Sequence, residues 1–183
     1  MTPFDTLVRR VEDKTADFVA LSDRIWDNPE IRYQEHGAAA EHIAMLEKQG
    51  FRVTREIADI PTAFMGEVGS GSPVVAILGE FDALAGLSQE SGVTEPRPIV
   101  RNGNGHGCGH NLLGAAALLA ATAIKDHLEA TGLPGTVRYY GCPAEEGGSG
   151  KTFMARTGAF DDIDVALCWH PWPFNGIMCV RSL

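Results

Sequence analysis

The run His-Gly-Cys-Gly-His at residues 106–110 sets a thiol between two imidazoles, with glycine on either side of the cysteine. Glycine lets the backbone turn tightly, so such side chains can converge. Cys thiolate, His imidazole and carboxylate are the usual protein ligands of zinc and similar divalent ions. Cys108 and His110 are therefore candidate metal ligands. Three other places supply matching groups: Glu80 with Asp82, the adjacent pair Glu145–Glu146, and His170. Adjacent glutamates suit hydrolysis, because Glu146 can hold a cation while Glu145 stays free to take a proton from an attacking water. Cys108 directly precedes a helical run, and a helix N-terminus is expected to favour its thiolate. The same residues allow a second chemistry, a Cys108 nucleophile with His170 as its base. That reading leaves the Glu145–Glu146 pair without a role.

Two other motifs fail on spacing. GGSGKT resembles the end of a phosphate-binding loop, but the required first glycine falls on Glu145. GNGHGCGH lacks the GxGxxG spacing and does not directly follow a strand pattern, so a dinucleotide fingerprint is not supported.

The elements that must position these groups follow from hydrophobic periodicity. Helical spacing runs over residues 4–26 and again over 36–49, where Gly50 is a usual stop. FRVTREI (51–57) and TAFMGEV (62–68) read as short strands, and PVVAIL (73–78) as a strand buried on both faces. A loop rich in Gly, Pro and Ser spans residues 86–109, and a helix follows over 111–130. TVRYYGC (136–142) and DVALCWH (164–170) are strand patterns, GKTFMARTG (150–158) is a short helix, and GIMCVRSL (176–183) reads as a final strand. This alternation predicts an α/β fold, a mostly parallel sheet flanked by helices. Glu80 with Asp82, Glu145 with Glu146, and His170 each fall just past a predicted strand, at the edge where open α/β sheets build their sites, and Cys108 and His110, in the loop that enters the long helix, can reach the same edge.

Composition narrows the partners. The 183 residues are enough for one domain with a real core, at 44% hydrophobic content. A formal charge of −9 and a pI near 5.0 argue against a nucleic-acid or anionic-membrane surface. No apolar run approaches the roughly 20 residues a bilayer span needs. The amphipathic, acidic N-terminus fits neither a secretory signal nor a transit peptide, so a cytoplasmic location is expected. Of the four cysteines, Cys142, Cys168 and Cys179 lie in apolar runs and are expected to be reduced core residues.

At the motif residues the chain resembles the dinuclear metallo-amidohydrolases of the aminoacylase, hippurate hydrolase and carboxypeptidase G family. The matching blocks are GEFDAL (79–84), GHGCGHN (105–111), CPAEEGGSGK (142–151) and CWHP (168–171). GEFDALAGLSQ, NGHGCGHNLLG and EEGGSGKTFM are most similar to its aminobenzoyl-glutamate hydrolase branch. The resemblance covers nearly the whole chain, and its four ordered blocks make it specific. It implies a zinc-peptidase-like α/β/α sandwich and cleavage of an amide between an acyl group, aminobenzoyl among them, and an amino acid such as glutamate. Two divalent ions, zinc or manganese, are implied as cofactors. Cys108, His110, Glu146 and His170 resemble metal ligands, Glu145 matches the general base, and Asp82 matches an Asp that orients a ligand. Glu80 stands where many relatives have a metal-binding His, and Asn111 where many have Asp. His106 is read as lying behind the ligands or facing substrate.

Family members are considerably longer. Residues 1–183 are expected to be the N-terminal portion of the catalytic domain, the sandwich being incomplete without a dimerisation domain and a C-terminal part. The implied complete enzyme is a homo- or hetero-oligomer acting on a small acyl-amino acid. Two other classes stay open: the cysteine hydrolase, and an inactive remnant that acts only through protein association at an exposed sheet edge.

Overall fold

The computed structural model describes residues 3–177. Helix α1 (Pro3–Asp27) buries Phe18, Leu21 and Ile25, spaced to fall on one face. Helix α2 (His36–Lys48) follows, then strand β1 (Arg52–Arg55), a 3-10 turn (Ile57–Asp59) and strand β2 (Phe64–Ser70). Strand β3 (Val74–Gly79) leads through the long loop into helix α3 (His110–Thr131), which ends at left-handed Gly132. Strand β4 (Gly135–Gly141), the irregular single turn α4 (Glu145–Gly148), helix α5 (Gly150–Arg156) and strand β5 (Val165–Leu167) complete the described order.

The sheet runs β1-β2-β4-β3-β5. It is mixed rather than mostly parallel: β3 pairs parallel to β4 and β5, whereas β1–β2 and β2–β4 are antiparallel. The short link between β1 and β2 explains the first pairing, because a parallel neighbour needs a crossover of a dozen residues or more. Two such crossovers exist. One leaves β3 through α3 to β4, and the other leaves β4 through α5 to β5 on the far side of β3. The chain thus reverses direction across the sheet at β3, and crevices at such switch points open at the strand C-termini.

Side chains alternate between two cores. Ile77, Val137 and Tyr139 face the layer of α1, α2 and α3, where they meet Leu21, Leu46 and Leu118. Ala76, Tyr140 and Cys142 face the opposite way, against Met154 of α5. Gly114 allows α3 to close on the end of β3, since a Cβ there would lie 2.5 Å from the Glu80 carbonyl oxygen. No helix among the described residues is long and apolar enough to cross a membrane.

The first core holds a histidine, and this gives the fold an acid weakness. His42 is fully buried beside Phe64, Phe81 and Tyr139, and burial lowers its pKa to about 4. Below pH ~6.5 the unfolded chain takes up a proton that the native ring refuses until about 4. His42 is therefore expected to cost ~1.4 kcal/mol of stability per pH unit as the pH falls through that window, and nothing above it. Urea midpoints across this range, compared with His42→Phe, measure it; an unchanged slope in the variant would contradict it.

The cysteines divide. Cys142 is fully buried in the second core, as expected. Its replacement by Ala should lower stability by roughly 1 kcal/mol and leave metal content unchanged, as denaturant unfolding and metal analysis can check. Cys168 is a correction: it lies one residue beyond β5 and is exposed. The apolar run around it does not signal burial, because β5 is a three-residue edge strand with Val165 and Leu167 also about half exposed. Cys179 and nearly all of the expected final strand lie outside the described residues; Gly176 and Ile177 are not in a strand.

Candidate metal centre

The residues singled out by sequence converge on His110. Glu80 and Asp82 follow β3, Glu145 and Glu146 follow β4, His170 follows β5, and His110 opens α3. The parallel arrangement of β3, β4 and β5 brings these three strand ends to one edge. Gly109 caps α3 at φ 80, a left-handed turn open to glycine, and Pro171 sits where a Cβ would project. Trp169 anchors the His170 segment by donating from Nε1 to the Leu113 carbonyl at 3.1 Å.

His110 is fully buried. Its Nδ1 lies 2.9 Å from Asp82 Oδ1, and the other Asp82 oxygen accepts the Glu146 N–H at 2.8 Å. A carboxylate only accepts, so Nδ1 carries a proton, and in its neutral form His110 presents a lone pair at Nε2. Around Nε2 stand Glu80 Oε2 at 3.1 Å and Glu145 Oε2 and Glu146 Oε1, each at 3.9 Å. Cys108 Sγ lies 3.2 Å from His170 Nε2, and the His110 and His170 rings meet edge to face at 5.7 Å. Ligand atoms of Cys108, His110 and His170 all lie within 4.8 Å of one another, as do those of Glu80, His110 and Glu145.

Two observations test whether a cation fits. His110 Nε2 and Glu146 Oε1 are buried atoms with no hydrogen-bond partner. Such groups are costly unless something at the site satisfies them. The donor set itself, a sulfur, two imidazole nitrogens and carboxylates, is that of zinc and similar ions. The residues fit a divalent metal.

Electrostatics points the same way. Burial opposes charge on His110, but Asp82, Glu80 and Glu146 outweigh it and raise its pKa. Burial also pushes the Asp82 carboxyl up, and contacts with His110 and the Glu146 amide bring it below the usual range. For Cys108 the expectation of a helix-favoured thiolate is corrected. Its residue lies two positions before α3, and burial together with the Glu146, Glu145 and Glu80 carboxylates pushes the thiol up to about 12. Without a cation to offset those carboxylates, the sulfur stays protonated.

Two residues near the motifs serve elsewhere. His106 is buried, with Nε2 3.1 Å from the Ile25 carbonyl and its ring stacked on Trp26, so it ties α1 to the loop. Asn111 donates from Nδ2 to Ser22 Oγ and joins α3 to α1. Two further residues at the site escape a reading of the sequence. Lys151 forms an ion pair with Glu80 beside His110, and the GGSGK run that contains it signals only an imperfect phosphate loop. Glu35, fully buried at the start of α2, accepts the Ala144 N–H at 2.8 Å. A single glutamate before a helix carries no signal of that long-range contact.

Comparisons with known proteins bear on family and fold. The sequence model described as Peptidase family M20/M25/M40 matches residues 76–178. The chain is 55% identical over 166 residues to one of the subunits of the p-aminobenzoyl-glutamate hydrolase of Escherichia coli K12, a match covering 91% of this chain and 34% of that protein. It is 32% identical over 174 residues to the mouse Xaa-Arg dipeptidase, covering 88% and 36%. The chain thus spans about a third of the length of these relatives. Among solved structures, the YXEP protein of Bacillus subtilis, a dinuclear metal-binding peptidase, superimposes with TM-score 0.73 at 22% identity, covering 88% of this chain and 44% of that one. An aminobenzoyl-glutamate utilization protein from Klebsiella pneumoniae gives 0.65 at 16%, covering 87% and 44%. At these identities the likeness is one of fold.

Proposed function

From the premise that this chain belongs to Peptidase family M20/M25/M40, we propose that it carries the metal-binding part of an amidohydrolase. The reaction is hydrolysis of the amide between an acyl group and an amino acid, with aminobenzoyl-glutamate the favoured substrate because of the 55% identity to the Escherichia coli hydrolase. Residues 1–183 serve as the N-terminal portion of the catalytic domain in this reading, and the working enzyme is an oligomer. The observation that carries it is the buried His110 Nε2, which has no hydrogen-bond partner and lies within 4 Å of three carboxylate oxygens.

Cys108, His110, Glu146 and His170 would hold divalent ions, zinc or manganese, with Glu80 beside His110. Bound there, such ions supply Lewis-acid polarisation of the scissile carbonyl and lower the pKa of a water. Glu145 is the exposed member of its pair and faces the same space. It takes a proton from the attacking water and returns it to the departing amine. Asp82 fixes both His110 and the backbone of Glu146, so imidazole and carboxylate keep a common frame.

A chelator should abolish hydrolysis of an acyl-glutamate by the protein that carries this chain, and added zinc or manganese should restore it. Undiminished turnover after exhaustive chelation sinks the proposal. The 3.2 Å contact between Cys108 and His170 favours a cysteine nucleophile as the second reading. The high thiol pKa weighs against it, because the thiolate is the attacking species. Alkylation at pH 7 separates the two: metal should shield Cys108, and a free nucleophile should react rapidly in the chelated protein.

A further inference from the structure

We propose that Glu35 is a positioning residue for the Glu145–Glu146 pair, acting as a hydrogen-bond acceptor that locks the backbone turn immediately before it. The inference rests on the metal-centre reading given above. Glu35 stands at the N-cap position of α2 yet makes no side-chain cap there. That duty falls to Glu30, whose carboxylate accepts the N–H groups of Gly37 and Ala38 at 3.0 and 2.8 Å. Glu35 is thereby free to cross to the other side of the site. One of its oxygens accepts the Ala144 N–H at 2.8 Å and the other accepts the Thr62 hydroxyl at 3.1 Å.

The contact matters because of where Ala144 sits. Its φ of 58 is left-handed, a conformation a residue with a Cβ adopts only when its surroundings impose it. The next residue is Glu145, and the amide after that is held by Asp82 at 2.8 Å. Two buried carboxylates, one from the start of α2 and one from the end of β3, therefore grip the amides on either side of Glu145. Without the Glu35 grip, Ala144 is free to relax toward ordinary φ, and that rotation would swing both Glu145 and Glu146 relative to His110.

Acceptor geometry and charge can be separated. Burial pushes the Glu35 carboxyl up, which the amides of Glu35, Ala144 and Tyr33 only partly offset. A neutral acceptor therefore suits the site. In Glu35→Gln the amide oxygen still reaches Ala144, and its NH2 can donate to the Thr62 hydroxyl, which accepts as well as donates. In Glu35→Asp the charge stays but the oxygen is withdrawn by one methylene.

The experiment titrates cobalt(II) into the protein carrying this chain and into both variants, reading the ligand-field spectrum and the affinity. Glu35→Asp should lose roughly 10–100-fold in cobalt affinity, while Glu35→Gln stays within about threefold of the unsubstituted protein. Unaltered affinity in Glu35→Asp overturns the inference, as does an equal loss in Glu35→Gln. If the unsubstituted protein binds no cobalt, the metal reading fails, and this inference with it. Amide exchange supplies a readout that needs no variant: the Ala144 N–H should be protected well beyond that of Glu145. Rapid exchange at Ala144 also overturns the assignment.

Discussion

Replacing Glu145 by Gln is expected to leave metal content intact and to reduce acyl-amino acid hydrolysis on the order of 10²–10⁴-fold. The amide is nearly isosteric with the carboxylate but cannot take up the proton that the attacking water must lose. Glu145 is the member of the pair suited to that role. It is exposed, its carboxylate reaches 3.9 Å from His110 Nε2, and its backbone is held between two anchored amides. Glu146 is more enclosed, and its buried Oε1 lacks a hydrogen-bond partner, as suits a ligand atom. Steady-state kinetics beside metal analysis checks the prediction. Near-normal turnover of an acyl-glutamate by the variant would remove Glu145 from the mechanism.

Asp82→Asn is expected to cost about 10–100-fold or more in metal affinity, with a larger effect than its near-identical shape suggests. Both groups facing Asp82 are donors, the Glu146 N–H and the Nδ1–H of His110 in its metal-binding tautomer. A carboxylate accepts from both. An amide has one accepting oxygen, so its NH2 must point at one of the two donors. Either the Glu146 amide is left buried and unpaired, at about 1–3 kcal/mol, or His110 moves its proton to Nε2 and blocks its own lone pair. The contrast with Glu35 is diagnostic: there one partner is a hydroxyl, and Gln should be tolerated. Metal titration of both amide variants compares the two cases. Equal tolerance at both positions would show that the His110 tautomer does not govern the site.

Much of this was legible because the chemistry-bearing residues lie next to element boundaries. Helix periodicity placed α1, α2 and α3, and the apolar runs placed β3 and β4. Polar residues just past strand patterns marked the site edge, since a strand end can point several side chains into one crevice. Pairing direction was less legible: the hydrophobic content of β2 does not reveal that it runs antiparallel to β4, a partner more than sixty residues away. Cys168 misled for a related reason, because an apolar run reports a preference for burial and not the layer that must cover it. At Cys108 burial and neighbouring carboxylates push the thiol pKa up, and only the three-dimensional cluster shows those carboxylates. Glu35 and Lys151 act through contacts 109 and 71 residues along the chain, where local pattern carries no information.

Whether Cys108, His110, Glu146 and His170 form a metal centre can be seen by zinc-edge anomalous diffraction from crystals of the protein grown with zinc. An anomalous peak is expected about 2.3 Å from Cys108 Sγ and about 2.0–2.1 Å from an imidazole nitrogen. His110 should then bind through Nε2 and remain hydrogen-bonded to Asp82 through Nδ1. An ordered Cys108–His110 loop with no peak beside it, or zinc held only elsewhere on the surface, would contradict the metal centre.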